Sequence, residues 1–195
     1  MPYLLLKDLP RYECLLEAAK EFPDLDPSAA EAFLHLLRTG DEVFGHTDKN
    51  LSDHNISHGR FGVMMLLWRS VQSREHALAG VAECSGGPRT PAELADAAGV
   101  TRATMTGLID TLERDGFVKR EPDQNDRRMM SVLLTPEGEV FLNTLLPAHF
   151  KVIADIMAPL TEPERKTLVR LLSKIQERVS RGQSAPKIQS SLIEI

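Results

Sequence analysis

Apolar residues recur at helical spacing through most of the chain, and the stretch after Gly116 reads instead as two short strands. Leu15, Leu16, Ala19 and Phe22 mark a short helix over 9–22, which Pro23 breaks. Asp26 and Pro27 supply the N-cap and first position of a longer helix, with Ala30, Phe33, Leu34, Leu37 and Phe44 on its face. The polar run 40–57, rich in Asp and Asn, predicts a loop after that helix frays. Ser57 then caps a helix from His58 to about Val71, whose large apolar groups are Phe61, Met64, Met65, Trp68 and Val71. The following VQSREHALAGVAECSGG either prolongs that helix to about Ala82 or forms a small extra element, and Ser85 to Pro88 reads as a flexible lead.

The stretch from Thr90 to Leu134 organises the rest. Thr90, Pro91 and Glu93 stand as N-cap, N1 and N3, the signature of a capping box. Leu94, Ala95 and Ala98 form a small apolar face, and Gly99 can close the helix in the left-handed conformation. Thr101 caps the next helix almost at once, so the two must cross as a helix-turn-helix pair. Met105, Leu108, Ile109 and Leu112 form the inner stripe of that second helix. Its outer side carries Arg102, Ala103, Thr106, Gly107 and Asp110: small and polar near the N-terminus, with one guanidinium, suited to phosphates and base edges. Gly116 ends the helix, Phe117 to Arg120 reads as a strand, Glu121 to Asp126 as a turn, and Met129 to Leu134 as the returning strand. Arg127 and Arg128 lie just past the hairpin tip, where an arginine can enter a narrow minor groove.

After the hairpin, Thr135 and Pro136 open a long helix with Val140, Phe141, Leu145 and Leu146 on its face and Pro147 inside it. It resumes through Phe150, Ile153, Ile156 and Met157 and stops near Pro159. Thr161 and Glu164 have capping-box spacing before a last helix carrying Leu168, Leu171, Leu172, Ile175 and Val179. The short connection predicts that these two helices are antiparallel neighbours. From Gln183 the chain is a polar tail.

The run LADAAGVTRATMTGLIDTLERDGFVKREPDQNDRRMMSVLLTPEG resembles the DNA-binding core of the multiple-antibiotic-resistance regulator (MarR) family. The helix pair, the Asp126-Arg127-Arg128 wing and the LTPEG that opens the next helix carry the likeness, clearest over 90–172 and looser back to Asp26. It implies a mainly α fold with a small β-wing: a winged helix-turn-helix flanked by N- and C-terminal helical dimerisation regions. The expected organisation is N-terminal dimerisation helices over 1–57, a DNA-binding lobe with its leading helix over 58–134, C-terminal dimerisation helices over 135–182 and a tail over 183–195. The resemblance further implies an obligate homodimer that binds a pseudo-palindromic duplex operator and releases it when a small molecule or oxidant is sensed. Thr101, Arg102, Ala103, Thr104, Thr106 and Gly107 are then the expected contacts in the major groove. Arg128 would enter the minor groove, oriented by Asp126 and accompanied by Arg127, while Lys119 and Arg120 are lesser phosphate contacts. Phe33, Leu37, Phe61, Met65 and Trp68 could line an effector pocket between lobes, although packing is the preferred reading of these apolar groups. The helix over 9–22 is not found in every relative and is expected to cross onto the partner subunit.

Composition changes this picture at a few points. A formal net charge of −5 sits awkwardly with phosphate binding and predicts a bipolar molecule, with Arg102, Lys119, Arg120, Arg127 and Arg128 gathered away from Glu13, Glu17, Glu21, Asp24 and Asp26. The same acidity is the best support for a second reading, a winged helix that binds protein rather than DNA. Two distant cysteines, Cys14 and Cys84, suggest no disulfide framework, and the opening MPYLLLKDLP lacks the basic region of a secretory leader. No stretch reads as long enough to span a membrane, so the chain is expected in the cytoplasm. His54 and His58 stand at i, i+4, but Asn55 occupies the place of a zinc hydrolase's glutamate, so no enzyme is expected. His46, Asp53, His54 and His58 could hold a regulatory metal; solvated loop histidines are the preferred reading, and no cofactor is expected. Cys14 lies between Glu13 and Glu17, a context unlike that of the family's hydroperoxide sensors.

Overall fold

The computed structural model describes residues 8–78, 90–123 and 128–182, and divides the chain into two compact units, 1–152 and 153–195. The first unit contains α1 (Tyr12–Glu21), α2 (Pro27–Ser52), α3 (His58–Leu78), α4 (Pro91–Ala98), α5 (Arg102–Arg114), β1 (Val118–Pro122), β2 (Met130–Leu134) and most of α6 (Pro136–Met157). The second holds the end of α6 and α7 (Glu162–Gly182). The fold is therefore mainly helical, with one two-stranded antiparallel sheet among the described residues.

Asp26 caps α2 as expected, its Oδ1 accepting from the Ser28 and Ala29 amides at 2.9 and 3.1 Å. The predicted loop over 40–57 is a correction: α2 continues to Ser52, and only 53–57 are non-helical. The reason is visible in the buried and half-buried positions, which recur helically at Ala30, Leu34, Leu37, Asp41, Asp48 and Leu51. Two aspartates occupy that stripe, so its apolar signal fades while the helix persists. Leu51, fully buried, anchors the far end in the core. The turn that follows is closed by the His54 and Ile56 amides on the Leu51 carbonyl (3.0 and 3.2 Å), with Asn55 at φ 57°. Asparagine tolerates that left-handed conformation better than most side chains.

Ser57 caps α3, which reaches Leu78, so the segment after Val71 first prolongs the helix. Cys84 and the lead from Ser85 to Pro88 lie outside the described residues, as does the tail from Gln183. A single core joins the end of α2 to α3, α4, α5, the hairpin and α6 through Leu51, Met64, Leu67, Leu94, Ile109, Val132 and Leu142. Burial of such side chains contributes roughly 1.5–3 kcal/mol each and dominates the cohesion of this unit.

α6 corrects a second expectation. With 22 residues and a mean hydropathy of 1.3 in its most apolar window, it is long and apolar enough to cross a membrane by length and composition. Part of that character has a local cause: Leu142, Leu145 and Leu146 fill the core of the first unit. Val140, Phe150 and Ile153 on the same helix are exposed. Pro147 lies inside α6 and cannot donate to the carbonyl four residues back. In the second unit, the Thr161 amide and hydroxyl both donate to Glu164 Oε2 at 2.7 Å, holding that carboxyl below its ordinary pKa. α7 leaves Val169, Leu171, Ile175 and Val179 exposed.

Candidate nucleic-acid interface

The helix pair forms from the caps outward. Thr90 Oγ1 accepts from the Glu93 amide at 3.2 Å while Glu93 Oε2 accepts from the Thr90 amide at 2.9 Å, so both halves of the capping box are present. Gly99 ends α4 at φ 64°, ψ 31°, a conformation that glycine adopts without the clash a Cβ brings. Thr101 Oγ1 then accepts from the Thr104 amide at 3.1 Å, fixing the first turn of α5. Only one residue, Val100, separates the C-cap of α4 from the N-cap of α5.

α5 is held by its inner side. Met105, Ile109 and Leu112 are fully buried, and Leu108 is partly buried against the same core. Thr101, Arg102, Ala103, Thr104, Thr106 and Gly107 are all exposed. Their three hydroxyls are already engaged on the helix: Thr106 Oγ1 donates to the Arg102 carbonyl at 2.9 Å, and the Thr101 and Thr104 hydroxyls lie 2.9 Å apart. A Cβ added at Gly107 would meet nothing within 4 Å, so this surface is open as well as small.

The hairpin is clasped to the helices at its base. Gly116 takes φ 79°, and its carbonyl accepts from Thr135 Oγ1 at 2.6 Å. The Thr135 amide donates to the Phe117 carbonyl at 3.1 Å, and Thr135 Oγ1 accepts from the Gly138 amide at 3.0 Å. Gly138 packs so closely on this turn that an added Cβ would clash with the Phe117 carbonyl oxygen. Val118 pairs with Leu134 and Pro122 with Met130, so β1 runs two residues beyond the predicted strand end. Further out, Ser131 Oγ donates to Asp123 Oδ2 at 2.6 Å.

The predicted cations fall into distinct groups. Arg102 and Arg128 are exposed on α5 and just before β2. Lys119 is exposed and paired with Glu121 at 2.7 Å. Arg120 is turned inward: its guanidinium meets Asp110 at 2.5 Å and also Glu113, which tie β1 to the outer edge of α5. The hydrogen bond that Arg120 donates to Asp110 is the main cause that raises the Arg120 pKa, with the charge of Glu113 adding to it. Arg120 is thus placed to position the wing rather than to reach phosphate. Arg60 of α3 makes a similar tie to Asp115, the C-cap of α5, at 2.5 Å. Sequence reasoning missed this one, because nothing local marks a pairing across 55 residues. Asp126 and Arg127 lie outside the described residues.

Of the five residues of the expected effector lining, two lie on α2 and three on α3. Phe61 is a core residue, and Met65 and Trp68 pack against that core. Leu37 is half-buried on α2, while Phe33 is 58 % exposed. A cavity of about 440 Å³ lies between α3 and the α4–α5 turn, lined by His58, Gly59, Gly62, Val63, Leu66, Ala97, Ala98, Val100, Met105 and Leu108, and it shares none of those five residues. Among the described residues no three His, Cys, Asp or Glu side chains are grouped to hold a metal. His54 Nδ1 lies 3.0 Å from the Asn50 carbonyl, and His58 Nδ1 lies 3.4 Å from Asp48 Oδ1.

Comparison with known proteins decides the family. The chain is 34 % identical over 175 residues to the HTH-type transcriptional repressor YetL of Bacillus subtilis (strain 168), covering 90 % of this chain and 96 % of that one. The chain belongs to the MarR family. The MarR family model itself matches residues 84–130, which span the turn, α5 and most of the wing. Among solved structures, Sco3205 of Streptomyces coelicolor, a MarR family transcriptional regulator in complex with DNA, shares the fold at a TM-score of 0.64 and 22 % identity, over 80 % of this chain and 93 % of that one. BpsR of Bordetella bronchiseptica, whose structure addresses regulation of DNA binding by 6-hydroxynicotinic acid, superposes at a TM-score of 0.55 with 23 % identity, over 73 % and 91 % of the two chains. This MarR protein is accordingly a winged helix-turn-helix, DNA-binding transcriptional regulator and not an enzyme.

Proposed function

We propose that this MarR protein is a homodimeric, cytoplasmic repressor that reads a pseudo-palindromic operator and releases it when a small molecule binds. The observation that carries the DNA reading is the outer face of α5. Six consecutive or near-consecutive positions from Thr101 to Gly107 are exposed and small or polar, on a helix whose opposite side is locked into the core. Arg102 and the threonines would meet base edges or phosphates, and Arg128 of the wing would meet the minor groove. Lys119 would be a lesser phosphate contact, Asp126 would orient Arg128 with Arg127 beside it in sequence, and Arg120 would hold the wing in place.

Support for the dimer is chemical. α1 and its C-cap expose Leu16 and Phe22, α2 exposes Phe33 and Phe44, α6 exposes Val140 and Phe150, and α7 exposes a further apolar row. A monomer seldom leaves so much apolar surface in water. A symmetric pair of such chains would present two α5 helices to half-sites one helical turn apart, about 34–36 Å.

Selection of bound duplexes from a random pool, followed by footprinting and light scattering of the free protein, tests the proposal. Two protected half-sites one turn apart and a dimeric mass are expected. A monomeric mass, or no enriched sequence and no salt dependence, would favour a winged helix that binds protein.

A further inference from the structure

The cavity between α3 and the α4–α5 turn has a chemistry of its own. Of its ten lining residues, nine are glycine, alanine, valine, leucine or methionine, and His58 is the sole one with a titratable side chain. That histidine is already committed on one side. Its Nδ1 faces Asp48 Oδ1 at 3.4 Å, and its ring stacks on Phe44 with centroids 4.5 Å apart. Any positive charge on it would therefore be met by Asp48. Among the described residues, no arginine or lysine lines the wall.

A carboxylate or enolate moved from water into such a site would lose its hydration and meet no free cation, which is strongly unfavourable. An uncharged ring system would lose little and gain contact with Val63, Leu66, Val100, Met105 and Leu108. The volume, about 440 Å³, falls within the roughly 300–1,000 Å³ typical of small-molecule sites. Two glycines of α3 make the room. A Cβ at Gly62 would meet nothing within 4 Å, while one at Gly59 would touch Leu108 Cδ2 at 3.1 Å. α3 and α5 are thus in contact at one edge of the cavity and separated at the other.

We propose that this cavity takes an uncharged, mainly apolar small molecule with a single hydrogen-bonding group, which Nε2 of the His58 ring meets. The proposal names the ligand class for the effector reading above and rests on that reading only for its consequence at DNA. A molecule lodged there presses on Met105 and Leu108 from behind, so occupancy moves α5 relative to α3. Both residues belong to the helix that carries the exposed face from Thr101 to Gly107.

The test uses the full-length protein without DNA and a matched pair of probes, 2-naphthol (neutral at pH 7) and 2-naphthoate (an anion of the same ring). Calorimetry and amide chemical shifts report binding. Saturable binding of 2-naphthol is expected, at least tenfold tighter than 2-naphthoate, with shifts at Gly62, Val100 and Leu108. The Gly62→Leu variant, which fills the cavity and raises helix propensity in α3, should lose that binding while retaining its helical circular dichroism. Equal or tighter binding of the anion, binding of neither probe, or 2-naphthol binding that survives Gly62→Leu would overturn the proposal. A separate titration of the operator complex with 2-naphthol reads the consequence: binding without release would leave the ligand class standing and remove the effector reading.

Discussion

The same substitution, glycine to alanine, should have opposite effects at two helical glycines of this protein. At Gly138, the third residue of α6, the new methyl would run into the Phe117 carbonyl oxygen, with the Phe117 carbonyl carbon 3.0 Å away and Leu134 Cδ2 3.3 Å away. That oxygen is backbone and is held by the Thr135 amide at 3.1 Å, so it cannot swing aside as a side chain would. Relief requires the base of the hairpin to move off α6, which strains packing by about 1–3 kcal/mol and loosens a hydrogen bond of about 1 kcal/mol. Against this stands at most about 1 kcal/mol of helix propensity gained on replacing glycine. Gly138→Ala should therefore destabilise by about 2 kcal/mol, lowering the melting temperature by roughly 4–8 °C for a chain of this size. At Gly62 the methyl meets nothing, and the propensity term stands alone, so Gly62→Ala should stabilise by about 0.5–1 kcal/mol. Urea unfolding at one fixed protein concentration measures both. Equal stability changes of the same sign would refute the close approach of α6 to the turn after Gly116.

Arg128→Ala should weaken duplex binding and reduce the slope of log affinity against log salt by about 0.9, as for one lost phosphate-region contact; competition gel shifts at several salt concentrations measure it. Arg120→Met should instead leave that slope unchanged and cost about 1 kcal/mol in urea, because its partly exposed pairs with Asp110 and Glu113 act within the fold. His149 is buried against Phe61 (ring centroids 4.7 Å), its Nδ1 has no hydrogen-bond partner among the described residues, and burial together with the nearby His58 lowers its pKa from the ordinary 6.5. The unfolded chain therefore takes up that proton first, so stability is full above about pH 6.5 and falls as pH drops below it, by up to about 1.4 kcal/mol per unit. Chemical denaturation between pH 7.5 and 5 should show this limb, and His149→Phe should flatten it.

What could be read from the sequence was local. Thr90, Glu93, Gly99 and Thr101 fix their turns through partners at most a few residues away, and Met105, Ile109 and Leu112 declare a face by spacing alone. The hairpin followed from Gly116 and the turn chemistry before Arg128. What could not be read depended on distant partners. α2 runs through a polar stretch because Leu51 is gripped by the core, and aspartates in its stripe hid that continuity. Arg120 looked like a surface cation until Asp110 and Glu113 were folded beside it. The cavity arose where Gly59 and Gly62 meet the α4–α5 turn, a juxtaposition no periodicity encodes, while Phe61, Met65 and Trp68 went to core packing. α6 shows the limit of hydropathy, since part of its apolar length is spent on the core.

The central claim is that the exposed start of α5 faces the major groove at each of two half-sites. A DNA-cleaving reagent tethered to Thr106→Cys, in a chain with Cys14→Ser and Cys84→Ser, tests it on the selected operator. Cuts centred in two major grooves one helical turn apart are predicted. Cuts scattered along the duplex, or none while the protein remains bound, would contradict it.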